Sequence, residues 1–354
     1  MKRLIYITIL SILLPLGCSK PSPAPAPAPE QYDRYIFFSH GVETKASLIE
    51  SAAGLDGKAF GVVGFKYDFD KKWETEKATA TPNVFADTPE TVDVSADGTT
   101  ADYSPLQGWS NNKKYAFFAF YPRDLELVNL DGDTPYSGGI PAVKYSMNPA
   151  DLKASMVDVM TAAPMTDLYW KSASDYHIPN SDNSAGGEVN FAFSHRLSCL
   201  GLNIANLSAG TITLESVEFK IGGIKFHQAA FSLTDGATLS TTAATPATAE
   251  LPLAFAEGEN SIEDETTKEL SDKLIFIPQE DNLSIEVTIN YIREAVNGYK
   301  EYKGSFTTQS LTTKLAQGQK HIVNLKFTDS TVEVIAQVSQ EGWSKTYDVN
   351  SSFK

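Results

Sequence analysis

The residue types that most often perform catalysis or bind metal ions occur here without the spacings that such sites require. The sequence contains no Gly-x-Ser-x-Gly, His-Glu-x-x-His, Gly-x-x-x-x-Gly-Lys-Ser/Thr or Cys-x-x-Cys motif. Its five histidines include no i,i+4 or other short-spaced pair: His40, His177, His195, His227 and His321. The fold alone would have to assemble a histidine metal site. We therefore predict a protein that is not an enzyme, with no metal site and no cofactor.

Three further patterns resemble functional sites but have simpler interpretations. Asn129, Asp131 and Asp133 have the spacing of a calcium loop, yet Thr134 stands where glycine is needed and Ile140 where the bidentate glutamate is needed. A solvated turn is the better interpretation. His195 would suit a ligand or a base, but a hydrogen-bonded core histidine is the simpler role. Four aromatic residues could either stack on sugar rings or fill a sandwich core: Trp73, Trp109, Tyr169 and Trp170.

The chain is acidic, and its charge excludes one class of partner. It has 354 residues, which fits one large or two ordinary domains, and a formal net charge of −15. Nucleic-acid affinity depends on clustered Lys and Arg, so we predict no nucleic-acid partner. The two cysteines, Cys18 and Cys199, are too few for a disulfide framework.

The N-terminus has the pattern of a secretory signal. Lys2 and Arg3 precede an apolar run over residues 4–16 that is too short to span a bilayer comfortably. The run ends in Leu-Pro-Leu-Gly-Cys18, which resembles the lipobox of bacterial lipoproteins, although a proline stands where leucine is usual. The resemblance implies removal of residues 1–17 and acylation of Cys18, which would hold the protein at a membrane. An ordinary signal peptide with an incidental cysteine is the alternative.

Residues 18–31 form a Pro/Ala-rich linker, and the remainder is predicted to be all-β. The linker composition favours polyproline II. The clearest strand covers residues 283–291, where apolar and polar residues alternate strictly. In residues 115–121 both alternating sets are apolar or aromatic, as expected of a strand covered on both faces. A Ser, Asp, Asn and Gly-rich stretch at 172–187 suggests a boundary between domains at 32–185 and 186–354, each long enough for a β-sandwich.

Four segments in a fixed order carry a family resemblance. A tryptophan precedes the aromatic strand, and an Asp-Val-Met strand and a Phe-x-His-x-Leu strand follow it. The segments are Trp109 with residues 114–122, then residues 156–164, 189–197 and 318–325. Together they resemble the Mfa-like fimbrillin family of Bacteroidales surface lipoproteins, over approximately residues 36–343.

The resemblance implies two tandem transthyretin-like β-sandwich domains and a subunit of a type V pilus, in its stalk, tip or anchor. It also implies export as a lipoprotein to the outer membrane, with a surface-exposed or fimbrial location. In such proteins a trypsin-like protease removes the N-terminal segment with its first strand. The vacated groove then accepts a donor strand from the C-terminus of a neighbouring subunit, since an incomplete sheet exposes unpaired backbone and an apolar groove.

Residue by residue, the resemblance makes residues 35–42 the candidate first strand. Thr-Lys-Ala at residues 44–46 matches the Thr-Arg-Ala that often follows this strand in the family, with Lys45 in place of the arginine. Lys45 and Arg34 are therefore the candidate processing sites, although a plain exposed loop lysine is the alternative for Lys45. Arg34 precedes the strand, and cutting there would free the lipid but leave the groove filled. The alternating donor-strand candidates equally suit a last strand of the protein's own second domain: Val332, Val334, Ala336 and Val338.

The expected partners are other fimbrial subunits in a homo- or hetero-polymer, the outer membrane through the lipid anchor, and a ligand on a host or bacterial surface. These expectations describe a structural and adhesive role. The alternative function is a surface-exposed glycan-binding lipoprotein that does not polymerise. The two differ in a property that can be measured, because the alternative requires a monomer with an intact N-terminus.

Overall fold

The computed structural model describes residues 35–42, 52–170, 188–294, 301–328, 332–333 and 338–342. Within them almost every element is a strand, which confirms the all-β prediction. In chain order the strands are β1 (Phe37–Val42), β2 (Ala59–Asp68), β3 (Glu90–Val94), β4 (Ala101–Asp102), β5 (Lys113–Tyr121), β6 (Glu126–Val128), β7 (Ala142–Ser146), β8 (Met160–Ala162), β9 (Met165–Tyr169), β10 (Glu188–His195), β11 (Ser198–Asn206), β12 (Ile212–Ser232), β13 (Thr238–Leu253), β14 (Ser261–Ile262), β15 (Thr266–Glu269), β16 (Leu274–Phe276), β17 (Leu283–Arg293), β18 (Tyr302–Thr307), β19 (Leu311–Thr313), β20 (Gln319–Phe327), β21 (Val332–Glu333) and β22 (Val338–Gly342). The short helices are α1 (Trp73–Glu76), α2 (Leu152–Ser155) and a 3-10 turn (Ala52–Leu55).

The first sheet closes on itself. Its pairings run in the order β2–β3–β4–β1–β10–β8–β5, and β5 also pairs with β2, while β9 pairs with β5. Strand β5 is buried on both faces, as the sequence predicts. Tyr115, Phe117 and Ala119 point into a core within this sheet, and the alternate residues point into a second core. Strand β5 therefore separates the two cores and contributes side chains to both.

The second core lies between two further sheets and the outer face of β2 and β5. The second sheet has the order β18–β17–β12–β7–β6, with β13 and β14 on β12 and β19 on β17. The third has the order β15–β11–β20–β21, with β16 on β11 and β22 on β20. The predicted alternation in residues 283–291 is confirmed, because Leu283, Ile285 and Val287 are fully buried in β17 while the residues between them are not.

Strand pairing crosses the predicted boundary at residue 186 in both directions. Strand β10 begins at Glu188, after that boundary, and pairs with β1 and β8 of the first sheet. Strand β7 lies before it and pairs with the last five residues of the 21-residue strand β12. The division into domains at 32–185 and 186–354 stays a prediction, and the signal peptide and linker lie outside the described residues.

Candidate functional site

The histidine that the sequence singles out is part of the core. Nδ1 of His195 lies 2.9 Å from Oδ1 of Asp158, and both side chains are buried. The pair joins β10 to the residues just before β8. The interpretation of His195 as a hydrogen-bonded core histidine is confirmed. Among the residues that the structure describes, no three His, Cys, Asp or Glu side chains lie close enough together to bind a metal ion.

The proposed sugar-stacking residues are mostly core residues as well. Trp73, Trp109 and Trp170 are all buried, and only Tyr169 is partly accessible. The glycan-binding alternative therefore loses three of the four rings on which it rested. The acidic loop near Asp131 is a turn, as predicted. Its Oδ1 accepts hydrogen bonds from the backbone N–H groups of Asp133 and Thr134, which leaves that oxygen committed within the turn.

The feature that stands out is β1, a strand inserted in the middle of the first sheet. It pairs with β10 in parallel over six residue pairs, from Phe37 opposite Glu188 to Val42 opposite Phe193. On its other side it pairs with β4 at a single position, Phe38 opposite Ala101. Because one neighbour supplies nearly all of the ladder, the strand is attached mainly along one edge. Its remaining hold on the protein comes from side-chain packing and from hydrogen bonds just before the strand begins.

That packing comes chiefly from Phe38, which fills an aromatic pocket. Its ring is 3% exposed and stacks on Phe191 at 5.4 Å between centroids. Three more rings complete the pocket at centroid distances of 5.3, 5.5 and 6.2 Å: Tyr103, Phe117 and Phe85. Ile36, two residues earlier, is completely buried. We call the channel that holds Ile36 and Phe38, lined by these four rings, the β1 groove.

A hydrogen-bonded clamp fixes the start of the strand. The Tyr103 hydroxyl donates to the carbonyl oxygen of Ile36 at 2.9 Å and accepts from the backbone N–H of Gln107 at 3.1 Å. The N–H of Ile36 donates to the carbonyl of Gln107 at 2.8 Å. Burial raises the pKa of Tyr103 to about 12, so the phenol keeps the proton that it donates. The loop that carries Tyr103 and Gln107 thus holds the strand just before its ladder with β10 begins.

Replacing Tyr103 with phenylalanine is expected to lower the free energy of unfolding by about 1 to 2 kcal/mol. The change keeps the ring in the pocket but leaves the Ile36 carbonyl and the Gln107 N–H without this partner. Urea denaturation measures the loss, and amide hydrogen exchange should rise first in β1. The control is Tyr302→Phe on the exposed surface, which should change stability by less than about 0.5 kcal/mol. Equal losses of stability in the two variants would show that the hydrogen bonds of Tyr103 do not help to hold the start of β1.

The other candidate residues are divided between described and undescribed parts of the chain. Cys18, Arg34 and Lys45 lie outside the described residues, as do Val334 and Ala336. Val332 lies in β21 and pairs with Phe327, and Val338 lies in β22 and pairs with Val323. Both strands thus pair with β20 of the same chain. Their use as a donor strand stays a prediction.

Comparison with known proteins bears on this geometry. The profile of the fimbrillin-like family matches residues 56–343. The chain belongs to the fimbrillin-like family. The resemblance found in the sequence is thereby confirmed, and family membership supports a fimbrial or adhesive subunit at the cell surface. A search of curated protein sequences finds no significant match.

Solved structures agree with the fold of this fimbrillin-like chain. A fimbrial protein from Bacteroides vulgatus shares 18% identity, with a TM-score of 0.58, over 88% of this chain and 100% of the other. A protein from Bacteroides ovatus with a proposed role in cell adhesion shares 16% identity, with a TM-score of 0.51, over 88% and 98%. At these identities the similarity shows a shared fold and nothing more specific. No helix in the described ranges is long and apolar enough to cross a membrane.

The sequence did not reveal two of the four rings that line the β1 groove of this fimbrillin-like protein. Phe117 and Phe191 lie in strands whose alternation is visible in the sequence. Phe85 and Tyr103 lie between strands, where no periodicity marks them as part of a core. The only available signal was that each is a large aromatic residue within a polar stretch. That signal is too common to single out a pocket.

Proposed function

We propose that this chain is a subunit of a type V pilus, exported as a lipoprotein acylated at Cys18 and assembled by exchange of its first strand. The observation that carries the proposal is the position of β1. The strand completes a closed sheet and fills its core, yet it precedes all other described elements in the chain. A single cut in the segment between β1 and β2 would therefore leave it held only by non-covalent contacts.

Loss of β1 would create a site for another strand. Removing it would expose the backbone groups of β10 that now pair with it, together with an aromatic pocket. Both are unstable in water, and an extended segment with alternating side chains would satisfy both. A strand from a neighbouring subunit makes a head-to-tail contact that does not close on itself, so repetition gives a filament.

The two candidate cleavage sites have different consequences under this proposal. Lys45 follows β1 in the sequence, so cutting there would separate the strand from the body of the protein. Arg34 precedes β1, so cutting there would release the lipid while the groove stays filled. We propose Lys45 as the processing site. The lipid on Cys18 would hold the precursor at the outer membrane until that cut is made.

The donor strand is proposed to come from residues 332–338. Strands β21 and β22 pair only with β20 among the described elements and form one edge of the third sheet. An edge strand can leave its sheet with the loss of one ladder, whereas a central strand would lose two. Val332, Val334, Ala336 and Val338 would then face the acceptor. Other fimbrial subunits are the proposed partners, and a surface ligand would be reached through the assembled fimbria.

Limited proteolysis tests the proposal. Protein beginning at residue 19 is cut with trypsin, the new N-terminus is determined, and size is followed by gel filtration and electron microscopy. We expect cutting at Lys45 to produce oligomers, alone or with a second fimbrial subunit, and deletion of residues 332–354 to remove the chain's ability to donate. Lys45→Gln is the matched control, cut at Arg34 but not at residue 45, and it should stay monomeric.

Two outcomes would contradict the proposal. In the first, protein cut completely at Lys45 retains β1 and remains monomeric with every subunit tested. In the second, the Lys45→Gln variant assembles as well as the parent protein. Either result would show that exchange of β1 does not drive assembly.

A further inference from the structure

We infer that the β1 groove selects a strand with an aliphatic residue two positions before an aromatic residue, and that the occupant therefore comes from a different subunit and not from another copy of this chain. The inference rests on the proposed strand exchange and adds the identity of the partner. It follows from the shape of the groove and from the sequence of the chain's own C-terminus.

The groove is formed around two side chains of unequal size. Ile36 occupies a fully enclosed position, and Phe38 lies among four aromatic rings. The residues on either side, Tyr35 and Phe37, are 45% and 44% exposed, so they place little restriction on a substitute strand. Parallel pairing with β10 sets the direction. A strand that takes over this ladder must therefore present the aliphatic residue first and the aromatic residue second.

The chain's own C-terminus does not contain this pattern. The 23 residues from 332 to the end include three aromatic residues: Trp343, Tyr347 and Phe353. The residues two positions before them are Glu341, Lys345 and Ser351, none of which is aliphatic. In any of these registers a charged or polar side chain would enter the enclosed Ile36 position, at a high desolvation cost. Within residues 332–338 the apolar residues are Val, Ala and Ile335, all smaller than phenylalanine, so each would leave a void in the Phe38 pocket.

The C-terminus also has a place in its own chain. Strand β22 pairs with β20 over five residue pairs, from Gln319 opposite Gly342 to Val323 opposite Val338. If β22 left β20, it would lose the hydrogen bonds of this ladder. Binding in the β1 groove would offset that loss only in part, because the Phe38 pocket would stay unfilled. A strand from another subunit with an Ile-x-Phe-like pattern would fill both positions and so stabilise the exchanged state. The groove and the C-terminal strand of this chain therefore suit different partners, which predicts a filament of unlike subunits.

Displacement of a labelled β1 measures this selectivity. A specific protease site is inserted between residues 42 and 52, a fluorophore is attached ahead of Tyr35, and the cut protein is mixed with unlabelled peptides. A peptide of residues 35–42 should displace the label. A peptide of residues 332–342 should be weaker by at least about tenfold, because it cannot fill the aromatic pocket. Two single changes serve as matched controls. Val334→Phe in the second peptide should restore much of the binding, and Phe38→Ala in the first should remove it.

The outcomes separate this inference from the proposed function. Equal displacement by residues 35–42 and 332–342 would overturn the selectivity while leaving strand exchange intact. Strong displacement by a peptide of residues 343–354 would also overturn it, since Tyr347 and Val349 would then be binding in the reverse direction. Failure of every peptide, including residues 35–42 in excess, would overturn strand exchange itself and the selectivity with it.

Discussion

Replacing Phe38 with alanine is expected to weaken the hold of the first sheet on β1 by about 3 to 5 kcal/mol. The ring is 3% exposed and contacts four other rings, so its removal leaves a void that surrounding aromatic side chains fill only in part. In the intact chain the loss appears as a lower urea midpoint. In protein cut between β1 and β2 and kept apart from other subunits, it should appear as faster loss of β1 during gel filtration from the variant than from the parent protein.

Phe37→Ala is the matched control for this change. The residue is adjacent, has the same side chain and lies in the same strand, but it is 44% exposed and faces away from the groove. Its removal should cost less than about 1 kcal/mol, because little apolar surface returns to water. A similar loss in both variants would mean that packing in the groove does not hold β1 in place.

Local alternation was enough to predict the strands that face one core or two. Residues 283–291 show a single buried face in β17, and residues 115–121 show two buried faces in β5, as their sequences indicate. Such patterns depend only on neighbours in the chain, because side chains alternate across a strand with a period of two. They say which face of a strand is covered but not which strand lies beside it.

The closure of the first sheet could not be predicted in this way. It depends on the pairing of β1 with β10, whose partners Phe38 and Val189 lie far apart in the sequence. The Ser, Asp, Asn and Gly-rich stretch at 172–187 predicts a domain boundary, and β10, which begins directly after it, pairs with β1 and β8 of the first sheet. Such composition indicates a connecting segment. Whether the chain beyond it begins a new sheet is decided by long-range pairing.

The first and last described strands differ in their position in a sheet, which favours β1 as the strand that is replaced and β22 as part of the strand that is donated. The first strand, β1, is inserted in a sheet and anchored by side chains, whereas β22 lies at a sheet edge and has a single paired neighbour among the described elements. An inserted strand leaves behind a groove with two walls, which can recognise side chains. An edge strand leaves behind only a ladder. Selectivity is therefore expected to reside in the acceptor groove and much less in the edge that releases the donor.

The second large effect concerns β20, the strand to which β22 is bound. His321 of β20 is completely buried beside Leu200 of β11, and its Nε2 accepts a hydrogen bond from the N–H of Ala316 at 3.3 Å. That bond requires an unprotonated Nε2. Its Nδ1 has no hydrogen-bond partner in the part of the chain that the structure describes. Burial therefore lowers the pKa of His321 to about 4.

Acid is expected to destabilise the protein through this residue. An unfolded histidine has a pKa of about 6.5, so between pH 6.5 and 4 the unfolded chain binds more protons than the folded one. The stability that depends on a neutral His321 is fully present above pH 6.5. By pH 4.5 the free energy of unfolding should have fallen by about 2 to 3 kcal/mol. His321→Gln offers Ala316 an amide oxygen and does not titrate. Urea unfolding at pH 7.5 and 4.5 should therefore show a smaller loss in the variant than in the parent protein. Because all other titrating groups are shared, equal losses would mean that His321 is protonated in the folded state and that the sheet tolerates the charge.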